Sequence, residues 1–128
     1  MSFLPEIDRD YLLEKKLHFK EVQSGPHKGI ILIDFPLPFG KFNYEKTDIL
    51  IILPPGYPDS APDMFYVFPP LLLTPINRPA RAADAVFQFD GRNWQRWSRH
   101  FDRKEWRAGI DSLISYLKKV ENALEIAG

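Results

Sequence analysis

The sequence predicts an α+β domain, and three observations lead there. Four short apolar runs between Leu17 and Phe68 are punctuated by turn residues, ten of the twelve prolines fall between Pro36 and Pro79, and one strong helical stripe closes the chain. Short strands in succession make an antiparallel meander, which cannot bury its inner face without a covering helix. At 128 residues the chain is long enough for one domain, residues 1–128, with a core of its own.

Pro5 to Lys16 reads as a short helix or turn, with Ile7, Tyr11 and Leu12 as its inner face. Leu17 to Val22 comes close to the alternation of a half-buried strand. Ser24-Gly25-Pro26-His27 is turn chemistry, and Gly29 to Phe35 is a second strand, broken by Pro36-Leu37-Pro38-Phe39-Gly40. Asp48 to Leu53 is a third, too apolar to face water on either side, and Met64 to Phe68 a fourth. Proline is confined to sheet edges and turns, so the proline cluster marks connections. Residues 69–100 show little pattern beyond Val86-Phe87-Gln88-Phe89, and irregular segments of that length are usually functional. Asp102 and Glu105 make a capping pair for the last helix. Trp106, Ile110, Leu113, Ile114, Leu117, Val120 and Leu124 then recur on one face. Gly109 costs about 1 kcal/mol inside a helix, which points to close packing in the first turn or to a helix that begins there.

The formal net charge is zero, so no global field draws the chain to nucleic acid or membrane. Residues 78–107 nevertheless hold eight basic residues against four acidic ones. No cysteine is present, which excludes disulfides, thiolate metal sites and cysteine nucleophiles. Three scattered histidines have no metal-site spacing, so no metal or other cofactor is expected. Acidic and basic residues interrupt the first ten positions and no run reaches the roughly 18 apolar residues of a membrane helix. A soluble cytoplasmic protein is the expectation.

The densest chemistry lies in Phe89-Asp90-Gly91-Arg92-Asn93-Trp94-Gln95-Arg96-Trp97-Ser98-Arg99-His100, with Trp106 eight residues after Ser98. The segment Ile52-Leu53-Pro54-Pro55-Gly56-Tyr57-Pro58-Asp59-Ser60-Ala61-Pro62-Asp63-Met64 resembles the strand-turn-strand of ubiquitin-conjugating (UBC) enzymes. Gln95-Arg96-Trp97-Ser98-Arg99-His100 is similar to the signature of a bacterial branch, prokaryotic family E, and the resemblance runs over about residues 5–125. It implies a UBC-like fold: a short N-terminal helix, a four-strand antiparallel meander, a long flap carrying the active site, and a C-terminal helix. It implies as partners a ubiquitin-like protein and an adenylating, activating-enzyme-like protein, which would use the ATP. The family places a tryptophan eight residues after its catalytic cysteine, and counting back from Trp106 lands on Ser98. The cysteine is missing here, as is the family's His-Pro-Asn tripeptide; Asn77 is the nearest counterpart of its asparagine.

Ser98 is therefore the expected acceptor, taking the C-terminal carboxyl of a ubiquitin-like protein as an oxyester. A serine hydroxyl needs an adjacent base to attack. His100 is the nearest, and His18 and His27 are further candidates that only folding could bring close. Arg96 and Arg99 would stabilise developing charge or hold the partner's tail, and Trp94 and Trp97 would wall the site. The alternative is a catalytically inactive module that binds ubiquitin-like proteins, with Ser98 only capping or hydrogen-bonding. Trp106, Tyr57 and Pro58 are read as structural, and Asp90 as an exposed turn residue. A distant reading makes the arginines and indoles of residues 78–107 a single-strand nucleic-acid surface, which the mixed acidic residues oppose. A serine hydrolase is weaker still, because Gly-x-Ser-x-Gly is absent.

Overall fold

A computed structural model describes residues 3–99 and 105–127. The chain opens with helix α1 (Glu6–Glu14), entered at Pro5. Strands β1 (His18–Ser24), β2 (His27–Pro36), β3 (Lys46–Leu53) and β4 (Phe65–Phe68) follow. They are the four the sequence predicts. Two more, β5 (Ala85–Phe89) and β6 (Arg92–Trp97), arise inside the stretch read as an irregular flap. The result is one antiparallel six-stranded sheet in the order β1-β2-β3-β4-β6-β5. Helix α2 (Leu113–Ile126) completes the α+β fold, which has the helix-sheet-helix order of a UBC-like domain.

The β5–β6 hairpin corrects the four-strand expectation, and its cause is local. Asp90 (φ +50°) and Gly91 (φ +78°) both lie in the left-handed region, as the two central residues of the tightest hairpin turns must. Asp-Gly is a favoured pair for that geometry. Phe87 then faces Trp94 across the ladder, and β6 docks on β4 with Phe65 opposite Trp97.

Alternation along the strands divides the apolar residues between two faces. Ile49, Ile51, Phe65, Val67 and Trp97 meet Leu12 of α1 and Leu113, Tyr116, Leu117, Val120 and Leu124 of α2 in the main core. The opposite face carries a smaller cluster of Ile31, Leu50, Tyr66, Phe89 and Trp94. Phe87 stacks on Tyr66 at 4.8 Å, and the Arg92 guanidinium lies 4.6 Å over Phe68.

The closing helix begins later than its stripe implies. Ser112 is the N-cap: its hydroxyl accepts from the Ile114 N–H at 3.2 Å, while the Ser112 N–H donates to the Ser115 hydroxyl at 3.1 Å. Asp102, one of the expected capping pair, lies outside the described residues, and Trp106 and Ile110 precede the helix. Gly109 (φ +81°) sits in a turn in which the Ile110 and Asp111 N–H groups donate to the Arg107 carbonyl. Its left-handed backbone, rather than packing inside a helix, accounts for the glycine there. Among the described residues, no helix is long and apolar enough to cross a membrane.

Two polar devices fix the connections. The Tyr57 hydroxyl donates to Asp8 Oδ2 at 2.6 Å and accepts from the Leu113 N–H at 2.6 Å, joining α1, the β3–β4 turn and the start of α2. The buried Gln95 amide grips the proline-rich segment after β4. Its Oε1 accepts from the Leu71 N–H (2.9 Å) and the Trp97 indole (3.0 Å), and its Nε2 donates to the Leu71 carbonyl (3.0 Å).

Three outcomes are expected for stability. Gln95→Leu leaves three buried polar groups without partners, at about 1–3 kcal/mol each before relaxation, so urea denaturation should show a loss of at least about 2 kcal/mol. Gly29→Ala places a methyl 2.7 Å from Leu50 Cδ1 and 2.8 Å from Phe89 Cζ, both buried. Overpacking of that kind should cost about 1–3 kcal/mol by the same measurement. The third outcome concerns alkali. Burial, then the hydrogen bond to Asp8 and its charge, raise the Tyr57 pKa above its ordinary 10.0, and burial with the charge of Asp63 raises that of Tyr116. The folded state thus holds these protons more tightly than the unfolded chain. Their stabilisation is complete below pH 10.0 and is lost as pH rises beyond it. The urea midpoint should fall above that pH, and Tyr57→Phe should flatten the decline.

Candidate functional site

Ser98 is the first residue after β6, so the strand that packs Trp97 into the core also places the serine. The Ser98 N–H donates to the Ala82 carbonyl at 3.0 Å, and the side chain is half-buried. Arg99 is held firmly beside it. Its guanidinium donates to the carbonyls of Arg81 (2.8 Å) and Ser98 (3.2 Å) and lies 4.9 Å over the Trp97 ring. Burial, and secondarily the charge of Arg81, lower its pKa from the usual guanidinium value.

These residues face one side of α2 across an open groove of about 550 Å³. Arg81, Arg99, Lys118 and Lys119 give it four positive charges, Ser98 and Asn122 its neutral polar groups, and Ala123 and Ile126 an apolar end. Lys119 also reaches Glu105 at 3.3 Å. Among the described residues, no histidine or carboxylate lines the groove, and no carboxylate pairs with Arg81, Arg99 or Lys118. Such a surface suits an anionic ligand. It lacks a visible base for the serine.

Of the residues singled out in the sequence, the groove gathers only Ser98 and Arg99. His100 lies outside the described residues. Asn77 is exposed in a separate turn, with φ +62° and its N–H donating to the Leu73 carbonyl at 2.7 Å. Arg96 points to the other face of the sheet, because alternation along β6 opposes it to Trp97. It stands in register with Tyr66, and its charge acts on that hydroxyl against the burial that raises the Tyr66 pKa. Trp94 and Trp97 correct the expectation that they wall the site: both are 0% exposed. The Trp94 indole donates to the Phe89 carbonyl at 3.1 Å, and Trp97 stacks on Phe65 at 5.5 Å. Trp97 contributes from below, as the floor under Arg99. With both indoles sealed, the nucleic-acid reading loses its stacking platform. His18, His27 and Asp90 are exposed.

Sequence reasoning missed Arg81, Lys118, Lys119 and Asn122. Lys118, Asn122 and Ile126 do repeat at i, i+4 and i+8, so they share a helix face beside the buried stripe. Nothing in the sequence aims that face at Ser98. A second groove of about 520 Å³ lies at the β3–β4 turn, with Asp59, Asp63 and Trp106 in its wall. Trp106 is partly buried and its indole donates to the Pro58 carbonyl at 2.9 Å, which keeps it a structural residue.

Neither a curated protein nor a solved structure matches the chain. A family model does, over residues 4–127, nearly the whole length. With the sheet and its flanking helices consistent with a UBC-like fold, the chain belongs to prokaryotic E2 family E.

Proposed function

We propose that the chain serves ubiquitin-like protein conjugation by holding the C-terminal tail of a ubiquitin-like protein in the groove at Ser98. Membership of an E2 family supports the general role. The observation that carries the specific reading is four cationic side chains sharing an open groove with a half-buried serine. A chain end bearing a carboxylate is the anion such a groove fits, and the fixed Arg99 fork matches carboxylate geometry better than a lysine would. An adenylating partner in the bacterial cytoplasm would present the tail in activated form.

Ser98 as covalent acceptor is the second reading, favoured by its position at the groove. Its oxygen would attack the carbonyl of the partner's thioester, the carbon–sulfur bond would break, and the thiolate would leave with the electron pair. The serine proton would pass to a base, for which His100 is the sequence's nearest offer, while Arg99 steadies the oxyanion. An acceptor amine would later displace the serine oxygen and form an amide. Against this, no base lines the groove among the described residues, and an unassisted hydroxyl is a poor nucleophile at neutral pH. Tail binding without a covalent bond is therefore the reading the geometry supports best.

One experiment separates the two. The protein is mixed with its activating enzyme, ATP and the cognate ubiquitin-like protein. Saturable binding that survives Ser98→Ala and leaves no covalent adduct is expected. An adduct labile to hydroxide, resistant to thiols and lost in Ser98→Ala would establish the carrier instead. Absence of both with authentic partners would end the proposal.

A further inference from the structure

Charge counting at the groove says more about the tail it takes. Lys119 already pairs with Glu105, so a tail with a single terminal carboxylate would neutralise one of the three other cations, Arg81, Arg99 and Lys118, and leave two crowded. Burial first, and the charge of Arg81 second, lower the pKa of Arg99, so some like-charge repulsion acts between the two guanidiniums. Arg81 and Lys118 are exposed and have no carboxylate partner among the described residues, and no carboxylate lines the groove to offset them. The wall along α2 from Lys118 to Ile126 rises through eight residue steps, roughly 12 Å at about 1.5 Å per step. That matches about three to four residues of extended chain. A segment of that length can carry acidic side chains as well as its terminal carboxylate. The apolar end at Ala123 and Ile126, the latter 72% exposed, offers a seat for one aliphatic side chain.

We infer that this groove selects an acidic tail: a C-terminal segment of about four residues with at least one Asp or Glu side chain besides the terminal carboxylate, and that it rejects a basic tail. The inference rests on the tail-docking reading above and specifies its substrate class. Matching charges suppress wrong partners as much as they attract right ones.

Two synthetic tetrapeptides provide the test, both with a free C-terminus and otherwise identical, one carrying Glu and the other Lys next to the C-terminal residue. Each is titrated into the isotope-labelled full chain and followed by NMR shifts of Ser98, Asn122 and Ile126. The acidic peptide should bind at least about ten-fold more tightly than the basic one. Its affinity should fall steeply as ionic strength rises from about 0.1 M to about 1 M, where the Debye length shrinks from about 10 to about 3 Å. Lys118→Glu and Arg81→Glu, both at exposed positions, should each weaken it by about ten-fold or more, with unchanged spectra elsewhere reporting an intact fold. Equal binding of the two peptides would overturn the acidic preference and leave tail docking standing. Shifts from neither peptide, together with no binding of the authentic ubiquitin-like protein, would overturn both.

Discussion

The Gln95 side chain is the constraint on which the placement of the groove depends. Three hydrogen bonds from one buried amide fasten the Leu71 backbone and the Trp97 indole to β6. Without them the segment after β4 would carry unsatisfied polar groups against the core, where each is costly. With them, the Leu71 backbone is tied to β6, and its side chain joins the main core at 1% exposure. The Trp97 ring is stacked on Phe65 and edge-on to Phe42. The next residue is Ser98. Its position is inherited from a tryptophan it does not resemble chemically.

The same arrangement explains how so much like charge is tolerated in one place. Arg99 spends two donors on backbone carbonyls and its flat face on Trp97, so its charge is stabilised by dipoles and a ring quadrupole in the absence of a carboxylate. Arg81 and Lys118 stay in water, which screens them. Among the described residues, Lys119 is the groove cation that reaches an acid, Glu105, in an exposed pair of the kind that contributes little. The groove therefore keeps its positive potential at small cost to stability.

Much of this fold is legible in the residues, and the failures have physical causes. β1 to β4 are recoverable because alternation and proline punctuation agree. β5 and β6 escape, although Asp90-Gly91 is a strong hairpin signal, because Arg92 to Trp97 is rich in charge and indole and reads as a site rather than a strand. The period of two in β6 settles the matter: Trp94 and Arg96 go to one face, Gln95 and Trp97 to the other. That single fact buries both indoles and removes Arg96 from the serine's side. The closing helix is misplaced at its start because Trp106 and Ile110 happen to continue its stripe, while Gly109 and the Ser112–Ser115 pair carry the true boundary. Ser98 and Arg99 are found by local motif and spacing. Arg81, Lys118 and Asn122 are brought in by tertiary packing alone, which no local signal encodes.

Energetics then limit what the groove does by itself. Exposed ion pairs contribute about 0–1 kcal/mol each, so the groove's cations together give a few kcal/mol at most, the range of about millimolar dissociation constants or weaker. Under the proposed docking, a tail held so weakly would come and go quickly. The folded body of such a partner would then have to supply additional contact for the complex to persist, since a second contact raises the effective concentration of the first. Nor do the nearby cations turn the serine into a cysteine. Their screened fields move a hydroxyl pKa by small amounts, whereas a thiol starts near 8.5 and is partly ionised already. On the proposed reading, a serine beside a cationic groove would therefore support recognition of a tail far better than nucleophilic attack.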